Sequence, residues 1–220
     1  MNKNQNQDRI TGQIAVHKTD KKLLEFIDNL NPAPLLDYAA IHAGVVRPHE
    51  KDGQRVYSVI RIVAQDYSRK GEPSIRVKAN IAPEEAIYFA DAARSGVKDF
   101  KFEAVKIFGS PDSQGFSPMT KLWVSRSETT PDGEILKRPW KVDIENGKGR
   151  KAHGKNGGSY CQGGSYVLEK KVFINFTDYE FFKLLYGVQR FITIWEMAHG
   201  AKLVKDGRSA RDTQYSSGDF

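Results

Sequence analysis

The strongest constraint on this chain lies near its end, where Phe181, Leu184, Leu185, Val188, Ile192 and Trp195 recur at helical spacing. They draw an apolar stripe about four turns long on one face of a helix. Thr177 followed by Glu180 is a capping box, which fixes where that helix starts. A stripe so rich in large side chains has to be covered. Aromatic residues at this spacing are better explained by burial against a sheet than by a cofactor box.

The sheet is legible just upstream. Lys101–Phe108, Lys121–Arg126, Lys137–Asn146 and Ser165–Phe176 are rich in β-branched and aromatic residues. Between them stand turn-forming stretches such as Gly109–Gly115 and Thr129–Gly133. Trp140, Val142 and Ile144 alternate with Lys141, Asp143 and Glu145, the pattern of an antiparallel strand with one buried face. In the last strand Leu168, Val172, Ile174 and Phe176 are expected to point inward, leaving Glu169, Lys171, Phe173 and Asn175 on the opposite face.

The first half reads less cleanly. Ile10–Val16 alternates weakly, and Leu23, Leu24, Ile27 and Leu30 after the candidate cap Asp20 predict a short amphipathic helix over 21–30. Asn31-Pro-Ala-Pro34 ends it, and a second short helix is expected over 35–43. Arg55–Gln65 and Ser74–Asn80 form a hairpin, with Ile75, Val77 and Ala79 inward and Arg76, Lys78 and Asn80 sharing the other face with Arg61. Pro83 opens a helix that Gly96 closes, with Ala86, Phe89, Ala90 and Ala93 on its buried side. The expected fold is therefore α+β. About six antiparallel strands in two groups are packed by a helix near 83–95 and a long helix near 177–199. Residues 1–9 read as a disordered tail, 10–204 as a single domain divisible at about 98, and 205–220 as a mobile tail.

One segment fits no element. Gly147–Gly164 holds seven glycines, four Lys or Arg and no acid, which makes its free backbone costly to order without an outside partner. The whole chain carries 34 Lys and Arg against 27 Asp and Glu, a net charge of +7, so an acidic partner such as nucleic acid is favoured. Cys161 is the single cysteine, which excludes an intrachain disulfide and a cysteine metal cluster and suits a reducing, cytoplasmic setting. The polar N-terminus is unlike a signal peptide, and no membrane partner is expected.

Three function classes follow. The first is a non-catalytic protein that binds single-stranded DNA or RNA and needs no cofactor. Its phosphate contacts would come from Arg61, Arg76, Lys78, Lys141, Lys148, Arg150, Lys151, Lys155 and Lys171, and its stacking surface from Tyr160 and Phe173, with Tyr57, Tyr67, Trp123 and Tyr166 as further candidates. No helix rich in Arg or Lys carries the Asn or Gln needed to read base edges in a major groove. The second is an accessory or inhibitor protein acting on another nucleic-acid protein. The third is a metal-dependent nuclease, from the pattern Pro131-Asp132 with Glu169-Lys170-Lys171, although a turn and a solvated strand explain the same residues. His42 and His49 lack ligands at metal spacing and read as structural or surface residues.

Four strands followed by a long helix, residues 101 to about 200, resemble in element order one half of the Whirly type of single-stranded DNA-binding protein. That resemblance implies a curved sheet that binds single strands and helices that mediate self-association. The first half departs from it in having fewer evident strands and helical material at 21–43.

Overall fold

The computed structural model describes residues 11–44, 49–51, 54–69, 71–155 and 157–217. The proposed tail over residues 1–9 lies outside them. The fold is α+β, as the patterning requires. One four-stranded antiparallel sheet runs in the order β1 (Gln13–Lys18), β2 (Lys22–Asn29), β5 (Val59–Asp66), β6 (Ile75–Ile81). A small ribbon, β3 (His49–Lys51) with β4 (Gln54–Val56), is inserted between β2 and β5, and α1 (Pro83–Ser95) follows β6. The second sheet is ordered β12 (Val167–Phe176), β9 (Trp140–Gly149), β8 (Ser117–Arg126), β7 (Phe100–Ile107). Its own ribbon, β10 (Lys151–His153) with β11 (Ser159–Cys161), sits between β9 and β12, and α2 (Asp178–Ser217) follows.

The same plan therefore occurs twice: a four-strand meander interrupted by one ribbon, then a helix. The first half does not depart from the strand-and-helix order of the second, because residues 22–29 form strand β2 and not a helix. Leu24 and Phe26 are buried in the core, and β1 and β5 bond this strand from both sides. Leu23 and Ile27 point to the other face, so the paired apolar residues mark a strand partly covered on both faces. Asp20, the expected cap, caps no helix; beside it Thr19 closes a turn, accepting from and donating to the backbone of Lys22. The short helix after Pro34 is a 3-10 helix, Leu35–Ala40.

Buried residues of both sheets and both helices join in one hydrophobic cluster. Phe181, Leu185, Val188 and Ile192 of the stripe are at most 1% exposed, and Trp140 stacks on Phe181 at 4.4 Å between ring centroids. The capping box is formed: Thr177 N–H donates to the Glu180 carboxylate and Glu180 N–H to the Thr177 hydroxyl. Arg126, buried beneath α2, clamps its first turn by donating from Nε and Nη2 to the two oxygens of Asp178 at 2.9 and 3.2 Å, while Trp140 Nε1 donates to Asp178 as well. These donors hold the Asp178 carboxyl below its ordinary pKa.

Three further expectations are corrected. Residues 205–217, read as a mobile tail, continue α2. Gly200 faces Ile41 and Gly207 faces the Tyr38 ring, and the missing side chain at Gly207, where a Cβ would clash, lets the helix lie against the 3-10 segment. Leu168 is half exposed, because a bulge between Leu168 and Lys170 breaks the alternation in β12. Much of the glycine-rich segment is ordered by the chain itself: Gly147 and Gly149 end β9, and Lys151–His153 pairs with Ser159–Cys161 as the β10–β11 ribbon. A side chain at Gly147 would strike the Val167 carbonyl and the Tyr166 ring, so that glycine serves close packing and not mobility.

Candidate nucleic-acid interface

The two sheets meet at one edge. Strand β6 lies across one end of the second sheet, where cross-strand pairing aligns Lys106, Thr120, Asn146 and Lys170 in a row. This row meets the open backbone of β6. The Asn146 amide accepts from Lys78 N–H and donates to Lys78 C=O, both at 2.8 Å, and also donates to the Thr120 hydroxyl. Lys106 Nζ donates to Asn80 C=O at 2.9 Å. An edge that would otherwise invite another strand is thus closed by side chains.

Because β6 is held there, the outer face of the first sheet and the end of the second make a concave corner. Two adjoining clefts of about 460 and 250 Å³ share Arg61 and Lys78. Arg76, Asn146, Glu169 and Lys170 line the first, and Asn80, Lys106, Phe108 and Thr120 the second. Two residues beyond Asn146 on the same strand face, Lys148 lies over the Phe116 ring, and Arg150 lies over the same ring, at 5.1 and 5.0 Å. Seven cations (Arg61, Arg76, Lys78, Lys106, Lys148, Arg150, Lys170) gather along this corner. Four acids accompany them: Glu25 pairs with Arg76, Glu85 with Lys106, Glu169 lines the cleft, and Asp112 faces Lys148 and Arg150. The Asp112 carboxyl is held below its ordinary pKa by the Phe116 N–H, then by the Gln114 N–H and by Lys148 and Arg150.

The predicted residues therefore divide among the corner, the β10–β11 ribbon and the outer face of the second sheet. Arg61, Arg76, Lys78, Lys148 and Arg150 belong to the corner. Lys151 is tied to the Gly109 carbonyl, and Lys155 and Tyr160 lie exposed on the β10–β11 ribbon. Lys141, Lys171 and Phe173 stand on the outer face of the second sheet, away from the core and the corner, so the expected single sheet face is not formed. There Lys141 and Lys171 both reach Asp143 Oδ2, at 2.8 and 3.4 Å, and Lys171 also holds Glu145 at 2.9 Å. Glu145, with Asp143 beside it, raises the Lys171 pKa. Burial, and then the bond from its hydroxyl to Glu145, raises that of Tyr166. Lys121 lies 3.7 Å from the Tyr166 ring centroid, and Lys22 4.0 Å from that of Phe173. This outer face is aromatic, with its charges largely paired.

Lys106, Lys170 and Phe108 were missed as site residues. Lys106 and Lys170 share a row only through cross-strand register and the β12 bulge, neither of which the strand patterns encode. The nuclease pattern is not assembled. Asp132 lies in the β8–β9 turn beyond Trp140, while Glu169 lies beside the Asn146 pairing, about 20 Å along the strand. Among the described residues no three His, Cys, Asp or Glu are placed to share a metal ion.

His42 is buried between Ser58 and Glu196, with Nδ1 2.9 Å from Ser58 Oγ and Nε2 3.1 Å from Glu196 Oε1, and it stacks on Trp195. The order Ser–His–acid is that of a nucleophile triad. Ser58, however, is 5% exposed and already accepts from Asn31 N–H, so the trio pins the 3-10 segment to α2. Among the described residues no helix is long and apolar enough to cross a membrane. No family model, curated protein or solved structure matches this chain.

Proposed function

We infer that this is a cytoplasmic, non-catalytic protein that binds single-stranded nucleic acid along the corner between its two sheets. The observation that carries the reading is the gathering of seven cations along one corner, six from β5, β6, β7, β9 and β12 and Arg150 just beyond β9, in the company of four acids. Phosphates spaced along a strand suit such a row, and the rings of Phe108, 48% exposed, and Phe116 offer stacking surfaces that the bases of a duplex cannot reach. The test is a binding series with single- and double-stranded DNA and RNA at two salt concentrations. Single strands should bind more tightly, and binding should weaken steeply as salt rises.

A second reading, contact with a protein, draws on a different observation. Tyr179, Tyr186, Ile194 and Met197 are exposed along α2, at 46–72%. An apolar row of this kind suits self-association or a partner protein. Light scattering at two protein concentrations reports self-association, and a mass that stays at one chain counts against it.

A further inference from the structure

The outer face of the second sheet carries a feature that phosphate binding does not use. Glu103, Trp123, Asp143 and Phe173 are aligned across the four strands, and the neighbouring row is Lys101, Ser125, Lys141 and Asn175. Ser125 is the small residue beside the indole, and a cleft of about 400 Å³ opens there. Trp123 forms one wall, and Ser125, Lys101, Lys141, Glu103 and Asp143 contribute to the lining. Asp143 is 6% exposed. Its Oδ2 takes both lysines, but its Oδ1 is buried without any hydrogen-bond partner among the described residues. A buried carboxylate oxygen left unpaired is costly, and each such atom in a folded protein calls for a cause.

We propose that this cleft is a slot for one unpaired nucleobase, stacked on Trp123, which donates an exocyclic amino N–H to Asp143 Oδ1. The slot rests on the single-strand reading and adds a base preference to it. The volume is that of a small-ligand site, and a flat wall beside a lone acceptor is the arrangement by which proteins read the edges of splayed bases. Carboxylates accept from the amino group of cytosine, whereas uracil presents a carbonyl at the same position and would meet the carboxylate with like polarity. Lys101 and Lys141 stand at the cleft to take the phosphates on either side. The Lys141 side chain is 42% exposed and held to Asp143 by one ion pair. A phosphate that draws its ammonium aside uncovers the acceptor beneath.

The test uses the full chain with short labelled oligo(dC) and oligo(dU), followed by anisotropy and by tryptophan emission. Trp140 and Trp195 are buried at 1% and 8% exposure, so quenching by stacked bases reports Trp123, and Trp123→Phe should abolish it. Oligo(dC) should bind about tenfold more tightly than oligo(dU), the worth of one hydrogen bond to a charged group. Asp143→Asn should bring that ratio close to one, even where the freed lysines strengthen binding of both. Trp123→Ala should weaken both about tenfold through lost stacking. Equal affinities for the two oligonucleotides in the wild-type protein, or binding that leaves Trp123 emission unchanged, overturns the slot while the corner reading stands. Failure of both oligonucleotides to bind overturns the slot and the corner reading together.

Discussion

The Asn146 side chain holds the backbone of Lys78 at both its N–H and its C=O, with two bonds of 2.8 Å that replace a missing neighbouring strand. This amide closes the sheet edge and sets the angle at which the sheets meet, so the cations on either side depend on it for their spacing.

Asn146→Ala should therefore cost about 2 kcal/mol, roughly 1 for each bond removed, and more where the backbone groups stay dry. Chemical denaturation measures it. The variant should also weaken oligonucleotide binding although Asn146 carries no charge. An unchanged midpoint together with unchanged affinity would mean that the edge is closed by other contacts.

The buried stripe of α2 gives the second prediction. Trp195 is 8% exposed and stacks on His42 and His199, so Trp195→Ala should cost on the order of 3 to 5 kcal/mol in a thermal or urea melt. A melt that does not move contradicts a core role for this ring.

Acid should loosen the start of the same helix. The Asp178 carboxyl has a folded pKa held below 3.8, chiefly by its bonds from Arg126. Its contribution to stability is thus present above that ordinary value and is lost as pH falls through the lowered one. Asp178→Asn should destabilise the protein at neutral pH and flatten this part of the acid limb in a denaturation series. A variant whose pH profile parallels the wild type at all pH values would remove the clamp from the account.

Gly207 tests the unexpected extension of α2. A Cβ there would overlap the Tyr38 ring, so Gly207→Ala should raise hydrogen exchange over residues 201–217, despite alanine being the better helix former by about 1 kcal/mol. Slower exchange would show that the helix end does not rest on Tyr38.

Much of this fold is written in local pattern. The stripe from Phe181 to Trp195, its capping box and the alternation around Val142 each specify their element through side-chain periodicity and nearby hydrogen bonds. What escaped depends on contacts distant in sequence. Leu23, Leu24 and Ile27 keep helical spacing, yet strands on both sides claim them. Residues 205–217 read as a polar tail until the 3-10 segment is laid against Gly207. The site suffered in the same way: Lys148 and Arg150 were legible as free cations, whereas Lys106 and Lys170 join them only through register and a bulge. Lys141 shares its strand's alternation with Asp143 and Glu145, register sets Lys171 across from Glu145, and it is these acids that occupy both lysines.

The proposed role of the corner cations is to hold a single strand by its phosphates. It is tested most directly by the salt dependence of oligonucleotide affinity in the wild type and in the combined Arg61→Ala, Lys78→Ala, Lys170→Ala variant. Among the described residues none of these three side chains forms an ion pair, and the Lys78 backbone keeps its bonds to Asn146, so the melting temperature should hold. Three lost phosphate contacts at roughly 0.7 each should lower the slope of log affinity against log salt by about 2. A variant that binds with the wild-type slope and affinity would contradict the account.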